Sequence, residues 1–425
     1  MQHHLYTRGF VAHYELWSSH GELNIQSSAP ANYFASTSTY VDMVVDAAGP
    51  EFNIHEDQTN EEVSNDTAQR FYQLLRDADE PLWDGCEKHT RLSVVSQLLN
   101  LKSEFHMSES CFDRLLLLVK SMLPQSERLP ADFYSAKKMV NDLGLGFMKI
   151  DACPNHCMLY YKEDADKTSC CICKHDRFKP KRGDKSKQKD VPYKSLRYFP
   201  ITPRLQRLFM SSRTAGHMTW HAERVRRDEG EMSHPADGEA WAHFSRTHPY
   251  FSRDPRNVRL GLCTDGFNPF GGSMASYSCW PVFLTPYNLP PGMCMKRENL
   301  FRSLLIPGPK SPGKNIDIYL RPLIDEMKLL WSDGVLCYDA SRKQNFNLKA
   351  ALMWTISDFP AYGMLSGWST HGRLACPYCM EDSKSFVLNS GGKSCSFDCH
   401  RRFLPSDHPF RKQKDSFMKN TTVME

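Results

Sequence analysis

Four cysteines in two close pairs are the residues of this sequence best suited to bind a metal. Cys153 and Cys157 form the first pair, and Cys170 and Cys173 form the second a short distance later. Thiolates are preferred ligands of tetrahedral Zn²⁺, and two pairs separated by a loop let one chain close such a site. Cys171 is an alternative ligand within the second pair, and four ordinary free thiols are the alternative to a metal site. The spacing predicts a structural zinc ion.

A basic segment follows the cysteines immediately. Between Lys174 and Arg213 there are thirteen lysines and arginines against three aspartates, with aromatic residues interleaved. Such a segment can neutralise phosphates and offer stacking faces, which predicts nucleic-acid contact. A solvated loop or a nuclear-import signal would explain the charge alone. The residues that we expect to contact nucleic acid are Lys179, Lys181, Arg182, Lys185, Lys187, Lys189 and Arg197.

Two aspartates stand where predicted strands end. Val258, Leu260 and Leu262 alternate and lead to Asp265, while a second apolar run leads to Asp358. If the two strands were neighbours, the carboxylates would form a hard-oxygen site for Mg²⁺ or Mn²⁺ of the kind that supports in-line attack on a phosphodiester. Aspartate also favours turns and helix caps, so a structural role for each acid is the alternative.

A second group of metal-binding residue types follows Asp358. Cys376 and Cys379 flank a proline that favours a tight turn, and His400 and His408 come later. We interpret these four as a second zinc knuckle, with Cys399 as an alternative ligand. About two zinc ions per chain are therefore expected.

Composition limits the class of protein. The 425 residues are 40% hydrophobic, enough for large cores, and the net charge of +4 hides an acidic first part: residues 1–69 hold one arginine and ten acids. Fifteen cysteines without a secretory start predict a reduced, intracellular protein. Since no apolar stretch approaches the length of a membrane span, we expect no membrane association.

The order of predicted elements indicates a mixed α/β protein. A helix is expected where Phe112, Leu116 and Val119 recur at helical spacing after a cap at Ser108 or Ser110. Strands are expected at 258–262, 280–284, 303–306 and 335–338, with an amphipathic helix from Ile316 to Trp331 between the last two.

Together these segments resemble the DDE transposases of plant CACTA (En/Spm-type) transposons. The resemblance extends in order from about Leu82 to Arg411. The first residues of the chain also resemble the end of the accessory domain that precedes such transposases. The main matching stretches are Lys149-Ile-Asp-Ala-Cys-Pro-Asn-His-Cys157, Leu196-Arg-Tyr-Phe-Pro200, Asp265-Gly-Phe-Asn-Pro-Phe270, Leu305-Ile-Pro-Gly-Pro309, Asp358-Phe-Pro-Ala361, Leu374-Ala-Cys-Pro-Tyr-Cys379 and Cys399-His-Arg-Arg-Phe-Leu-Pro405.

The resemblance implies an RNase H-like catalytic core in which Asp265 is the first metal-binding acid and Asp358 the second. It also implies nuclear localisation, binding to the terminal repeats of the transposon, and self-association of the protein. The family's third acid is expected well after the His-Arg-Arg-Phe-Leu-Pro stretch, so we expect this chain to be a fragment with an incomplete catalytic core. A non-enzymatic zinc-dependent nucleic-acid-binding or regulatory protein is the alternative, and a purely structural zinc protein is a third possibility.

The predicted organisation has an RNase H-like mixed sheet as its core, with a helical region before it and zinc-binding insertions. In order, the predicted segments are an accessory-domain remnant (1–22), an acidic linker (23–66), a helical region (67–149), the zinc module with its basic loop (150–200), a helical connector (201–253), the partial catalytic core (254–370), the second zinc knuckle (371–411) and a tail (412–425).

Overall fold

A computed structural model defines the arrangement of the helices and strands. It describes residues 62–181, 189–224, 232–270, 277–370, 372–376, 380–382, 385–387, 392, 394–396 and 407. The α-helices within these ranges are α1 Asp66–Asp79, α2 Arg91–Glu104, α3 Glu109–Ser121, α4 Phe133–Val140, α5 Thr202–Met210, α6 Trp220–Glu223, α7 Glu239–Thr247, α8 Pro249–Ser252, α9 Pro291–Cys294, α10 Ile316–Ser332 and α11 Phe359–Ser366.

Ten strands are present in the described ranges. They are β1 Met148–Asp151, β2 Ser195–Tyr198, β3 Val258–Thr264, β4 Trp280–Pro286, β5 Phe301–Ile306, β6 Val335–Asp339, β7 Gln344–Leu348, β8 Ala350–Ile356, β9 Ser385–Val387 and β10 Ser394–Ser396. Short 3-10 turns lie at Lys162–Asp164, Ala215–Thr219, Pro235–Asp237, Arg297–Asn299, Gly313–Asn315 and Met380–Asp382, and a π-turn at Asn141–Leu145.

The first four helices, α1 to α4, precede β1 in the chain. Thr90 and Ser108 cap α2 and α3, each accepting a hydrogen bond from a backbone N–H of the first turn. The predicted apolar face of α3 buries Phe112 and Leu116, which are 1% exposed. The start of α1 is also fixed, since Asn65 donates to the Asn345 side chain of β7 at 3.0 Å. The acidic linker therefore ends in ordered contacts with the hairpin that β7 forms.

A six-stranded mixed sheet forms the centre of the fold, which confirms the mixed α/β class. Its strand order is β1-β2-β5-β4-β3-β8. All neighbours are antiparallel except β3 and β8, which are parallel. A separate two-stranded sheet joins β6 to β7, and another joins β9 to β10. The predicted strands at 258–262, 280–284, 303–306 and 335–338 correspond to β3, β4, β5 and β6.

The helix α10 makes the crossover that parallel strands require. It follows β5, packs on one face of the sheet and leads through the β6–β7 hairpin to β8. Tyr319 and Leu330 are fully buried in the main hydrophobic core, as are Leu260 of β3 and Leu304 of β5. This packing fixes β8 beside β3.

Glu326 of α10 anchors the start of α5. Its carboxylate accepts hydrogen bonds from the backbone N–H groups of Ile201 and Thr202 at 3.0 and 2.8 Å, and from the Tyr198 hydroxyl. A carboxylate at a helix N-terminus satisfies N–H groups that have no partner within the helix. Thus β2, α5 and α10 are held together at one point.

Candidate functional site

The two predicted cysteine pairs meet in space. The sulfur atoms of Cys153, Cys157, Cys170 and Cys173 all lie within 4.8 Å of one another, and those of Cys153 and Cys173 are 3.4 Å apart. Four thiolates about 2.3 Å from a tetrahedral Zn²⁺ would be about 3.8 Å apart. The cluster therefore has the size and ligand type of a structural zinc site. Cys171 stays outside it, with its sulfur 3.5 Å from that of Met158.

Two backbone hairpins bring these cysteines together. In the first, Cys153 N–H donates to Met158 O at 3.0 Å, and His156 makes the tight turn with a φ of 57°. In the second, Cys170 N–H donates to His175 O at 2.9 Å, and Lys174 has a φ of 61°. We call residues 150–181, which contain both hairpins, the cysteine module.

The four thiols have unlike environments. Burial raises the pKa of Cys153 and of Cys157. Cys173 is exposed, and hydrogen bonds from the Asn155 side chain and the His175 backbone lower its pKa to about 6. A thiolate therefore forms more readily at Cys173 than at Cys153 or Cys157, and a bound dication would stabilise the thiolates that a zinc site needs.

Polar contacts fasten the cysteine module to α10. The Tyr319 hydroxyl and the His156 Nδ1 are 2.9 Å apart, next to the cluster residue Cys157. Lys162 forms an ion pair with Asp325 at 2.6 Å. Arg321 of the same helix pairs with Glu163 of the module. The module thus contacts the helix that positions β8.

The two predicted catalytic aspartates follow neighbouring strands. The parallel register pairs Cys263 of β3 with Ile356 of β8, so Asp265 and Asp358 both follow at the same edge of the sheet. Both side chains are exposed. Each uses one carboxylate oxygen locally: Asp265 accepts from Gly266 N–H at 2.6 Å, and Asp358 caps α11 by accepting from Ala361 N–H at 2.9 Å.

These local bonds are what an ordinary turn acid and an ordinary helix cap would make, so the structural alternative has direct support for each acid. The second oxygen of each carboxylate has no described hydrogen bond. In the ranges that the structure describes, no third acid, histidine or cysteine completes a metal-binding group with them.

The second predicted zinc knuckle falls mainly in undescribed parts of the chain. Cys376 is buried, and its carbonyl accepts a hydrogen bond from Met380 N–H at 2.7 Å. The other predicted ligands, Cys379, His400 and His408, lie outside the described residues, as does Cys399. This knuckle stays a prediction.

The described parts of the basic segment pair with each other on either side of residues 182–188. Lys179 N–H donates to Val191 O at 2.8 Å, and Phe178 bridges to Pro192. Lys179, Lys181 and Lys189 are exposed, and Lys181 forms an ion pair with Asp190 at 3.0 Å. Arg182, Lys185 and Lys187 lie outside the described residues. We call residues 177–193 the basic arm.

Arg197 lies apart from the basic arm, on β2 of the sheet, where it is exposed. Opposite it on β1 is Lys149, which sequence reasoning did not select. The available signal was the alternation of Met148, Lys149 and Ile150, but four residues are too few to predict a strand from its period.

Comparison with known proteins gives one family match. Residues 229–424 match the family described as Transposase family tnp2. No curated protein matches the chain. No helix in the described ranges is long and apolar enough to cross a bilayer. The matched residues include both aspartates and Cys376 and begin after the cysteine module, so the match supports a transposase family for the part of the chain that carries Asp265 and Asp358.

Proposed function

We propose that this chain is a transposon-derived DNA-processing protein with an RNase H-like core of the DDE type, related to the CACTA (En/Spm-type) transposases. The observation that carries the proposal is the parallel pairing of β3 and β8, each followed by an exposed aspartate. Two acids from distant parts of the sequence at one sheet edge are a better indication of a shared site than either acid alone.

The strand order supports the RNase H-like assignment. Strands β3, β4 and β5 form an antiparallel meander, and α10 then returns the chain so that β8 adds beside β3. This order brings the first and second acids of the resemblance to adjacent strand ends. The match of residues 229–424 to a transposase family agrees with it.

Asp265 and Asp358 would hold Mg²⁺ or Mn²⁺ through their second oxygens. Such ions, when bound, activate an attacking oxygen and stabilise the leaving oxygen at a phosphodiester. The chain's own part is to hold both carboxylates at the edge of a rigid sheet. If these two acids are the only protein ligands, as they are among the described residues, the ions would keep several waters, so we expect weak metal binding and no detectable DNA cleavage.

The cysteine module and the basic arm would supply DNA contact. We propose that one zinc ion fixes the module, that a second is bound by Cys376, Cys379, His400 and His408, and that lysines of the arm neutralise phosphates of transposon terminal repeats. Nuclear localisation and self-association belong to the same proposal.

A non-enzymatic zinc-dependent nucleic-acid-binding or regulatory protein is the second candidate. The observation that favours it is that Asp265 and Asp358 already have local structural partners and no third ligand among the described residues. In that case the acids only end a strand and cap a helix.

Binding of Mn²⁺ separates the two candidates. The protein is titrated with Mn²⁺, and free Mn²⁺ is measured by electron paramagnetic resonance. We expect weak binding that the double variant Asp265→Asn and Asp358→Asn abolishes. The matched control is Asp317→Asn, another exposed aspartate, at the start of α10. Equal Mn²⁺ binding by the double variant and the control would favour the non-enzymatic candidate.

A further inference from the structure

Two basic side chains face each other across the outer strands of the sheet. Lys149 of β1 lies directly opposite Arg197 of β2, and both are exposed. Like charges at directly opposed positions destabilise a strand pair. Neither side chain has a carboxylate within ion-pair distance in the described part of the chain. Among the described residues, no carboxylate neutralises Lys149 or Arg197.

The register identifies the sheet face on which these cations lie. Arg197 pairs with Leu305 of β5, and Leu305 pairs with Pro281 of β4. Directly paired residues project from the same face, and successive residues alternate. The position opposite Pro281 on β3 is the one that follows Thr264, which is Asp265, because Thr264 pairs with Val282. Arg197 and Asp265 therefore share one face.

A bulge adds a third cation to this face. The pairing of β4 with β5 shifts after Val282, so that Phe283 lies opposite Arg302. Without the shift, Arg302 would point to the opposite face, where Leu304 is fully buried. Instead Arg302 is exposed and lies over the Phe199 ring at 4.6 Å.

We infer that this face of β1, β2 and β5 is a track for the DNA backbone leading to Asp265, with Lys149, Arg197 and Arg302 on phosphates. The inference rests on the proposed function and specifies that DNA reaches Asp265 from the side of β1, β2 and β5. Strands lie about 4.8 Å apart, so Arg197 is about 14 Å from the end of β3, a distance that a few nucleotides span. An external polyanion would also relieve the repulsion between Lys149 and Arg197.

Salt dependence of DNA binding tests the track. The double variant Lys149→Gln and Arg197→Gln is compared with a control that removes two other exposed cations, Lys296→Gln and Lys328→Gln. The probe is a random-sequence 30-base-pair duplex without divalent ions. We expect the slope of log K against log salt to flatten by about 1.8 in the first variant, because each phosphate contact contributes about 0.9. Equal slopes in the two variants would overturn the inference.

Photo-crosslinking locates the contact independently of affinity. A benzophenone amino acid in place of Leu305, which lies opposite Arg197, should crosslink to the duplex. The same group in place of Leu329 of α10, which is 46% exposed, should not. Crosslinking of position 305 to the protein alone, with none to the duplex, would overturn the inference.

The outcomes separate this inference from the proposed function. Neither measurement uses metal or requires Asp265 and Asp358. If DNA contacts the track but Mn²⁺ does not bind, the inference holds and the protein is a non-enzymatic DNA-binding protein. Mn²⁺ binding without a track would leave the catalytic proposal standing and move the DNA to another face.

Discussion

The cysteine module and the aspartate pair are two candidate metal sites assembled in opposite ways. The four sulfurs come together through two local hairpins, within 4.8 Å of one another. Asp265 and Asp358 depend on the register between β3 and β8, which only the whole sheet defines. The first site has four soft ligands and the second has two hard ones. We therefore expect the module to depend on its metal and the aspartate pair to depend on the fold.

The largest effect is expected from removing a buried ligand of the module. Cys170→Ser should lower the zinc content by about one ion per chain and unfold the module, because the binding energy of a structural zinc is also folding energy. Cys171→Ser is the matched control, since this neighbour lies outside the cluster. Metal analysis and limited proteolysis measure both. Zinc lost from the Cys171 variant and kept in the Cys170 variant would reverse the ligand assignment.

A smaller effect is expected at the junction of β3 and β8. A methyl group at Gly261 would lie 2.5 Å from the Tyr287 ring and 3.2 Å from the Trp354 Nε1. Gly261→Ala should therefore lower the free energy of unfolding by about 1 to 3 kcal/mol and weaken Mn²⁺ binding. Denaturant titration gives the first quantity, and zinc content should stay unchanged. Gly292→Ala, where the methyl group would meet open space, is the control.

Acid should weaken the core through a buried histidine. Burial and then Arg224 lower the pKa of His234 from 6.5 to about 4. The unfolded chain binds the proton first, so this stabilisation is complete above pH 6.5 and is lost as pH falls to 4, by at most about 3 kcal/mol. Unfolding free energies between pH 4 and 7 measure it. His234→Gln should reduce this dependence and leave the part that comes from His221, whose pKa burial also lowers to about 4. The exposed His243→Gln should not reduce it.

The smallest effect concerns the basic arm. Replacing Lys179 and Lys189 by Ala should flatten the salt dependence of DNA binding by up to about 0.9 per lysine. Lys181 should contribute less, because Asp190 already neutralises it in part. If replacing Lys179, Lys181 or Lys189 singly by Ala leaves the slope of log K against log salt unchanged, the described part of the arm does not contact DNA.

Sequence reasoning succeeded where information was local. Each close cysteine pair, the serine cap of α3 (predicted at Ser108 or Ser110) and the alternation in β3 lies within a few residues. The sequence analysis could only state what would follow if β3 and β8 were neighbours, because no local signal identifies the neighbour of a strand. Strands β1 and β2 were missed, since each has four residues and their pairing spans the cysteine module. The second zinc knuckle and the predicted domain boundaries stay predictions.

The insertion of the cysteine module between β1 and β2 limits how far its metal can influence the sheet. Asp151 pairs with Ser195, so the module lies within the loop that this pairing closes. An ion tying Cys153 to Cys173 would shorten that loop by about half, and a halving of loop length changes closure entropy by only about 0.6 kcal/mol. Chelation should therefore change amide exchange in β3 and β4 little, and the larger change should lie in α10, which the module contacts directly.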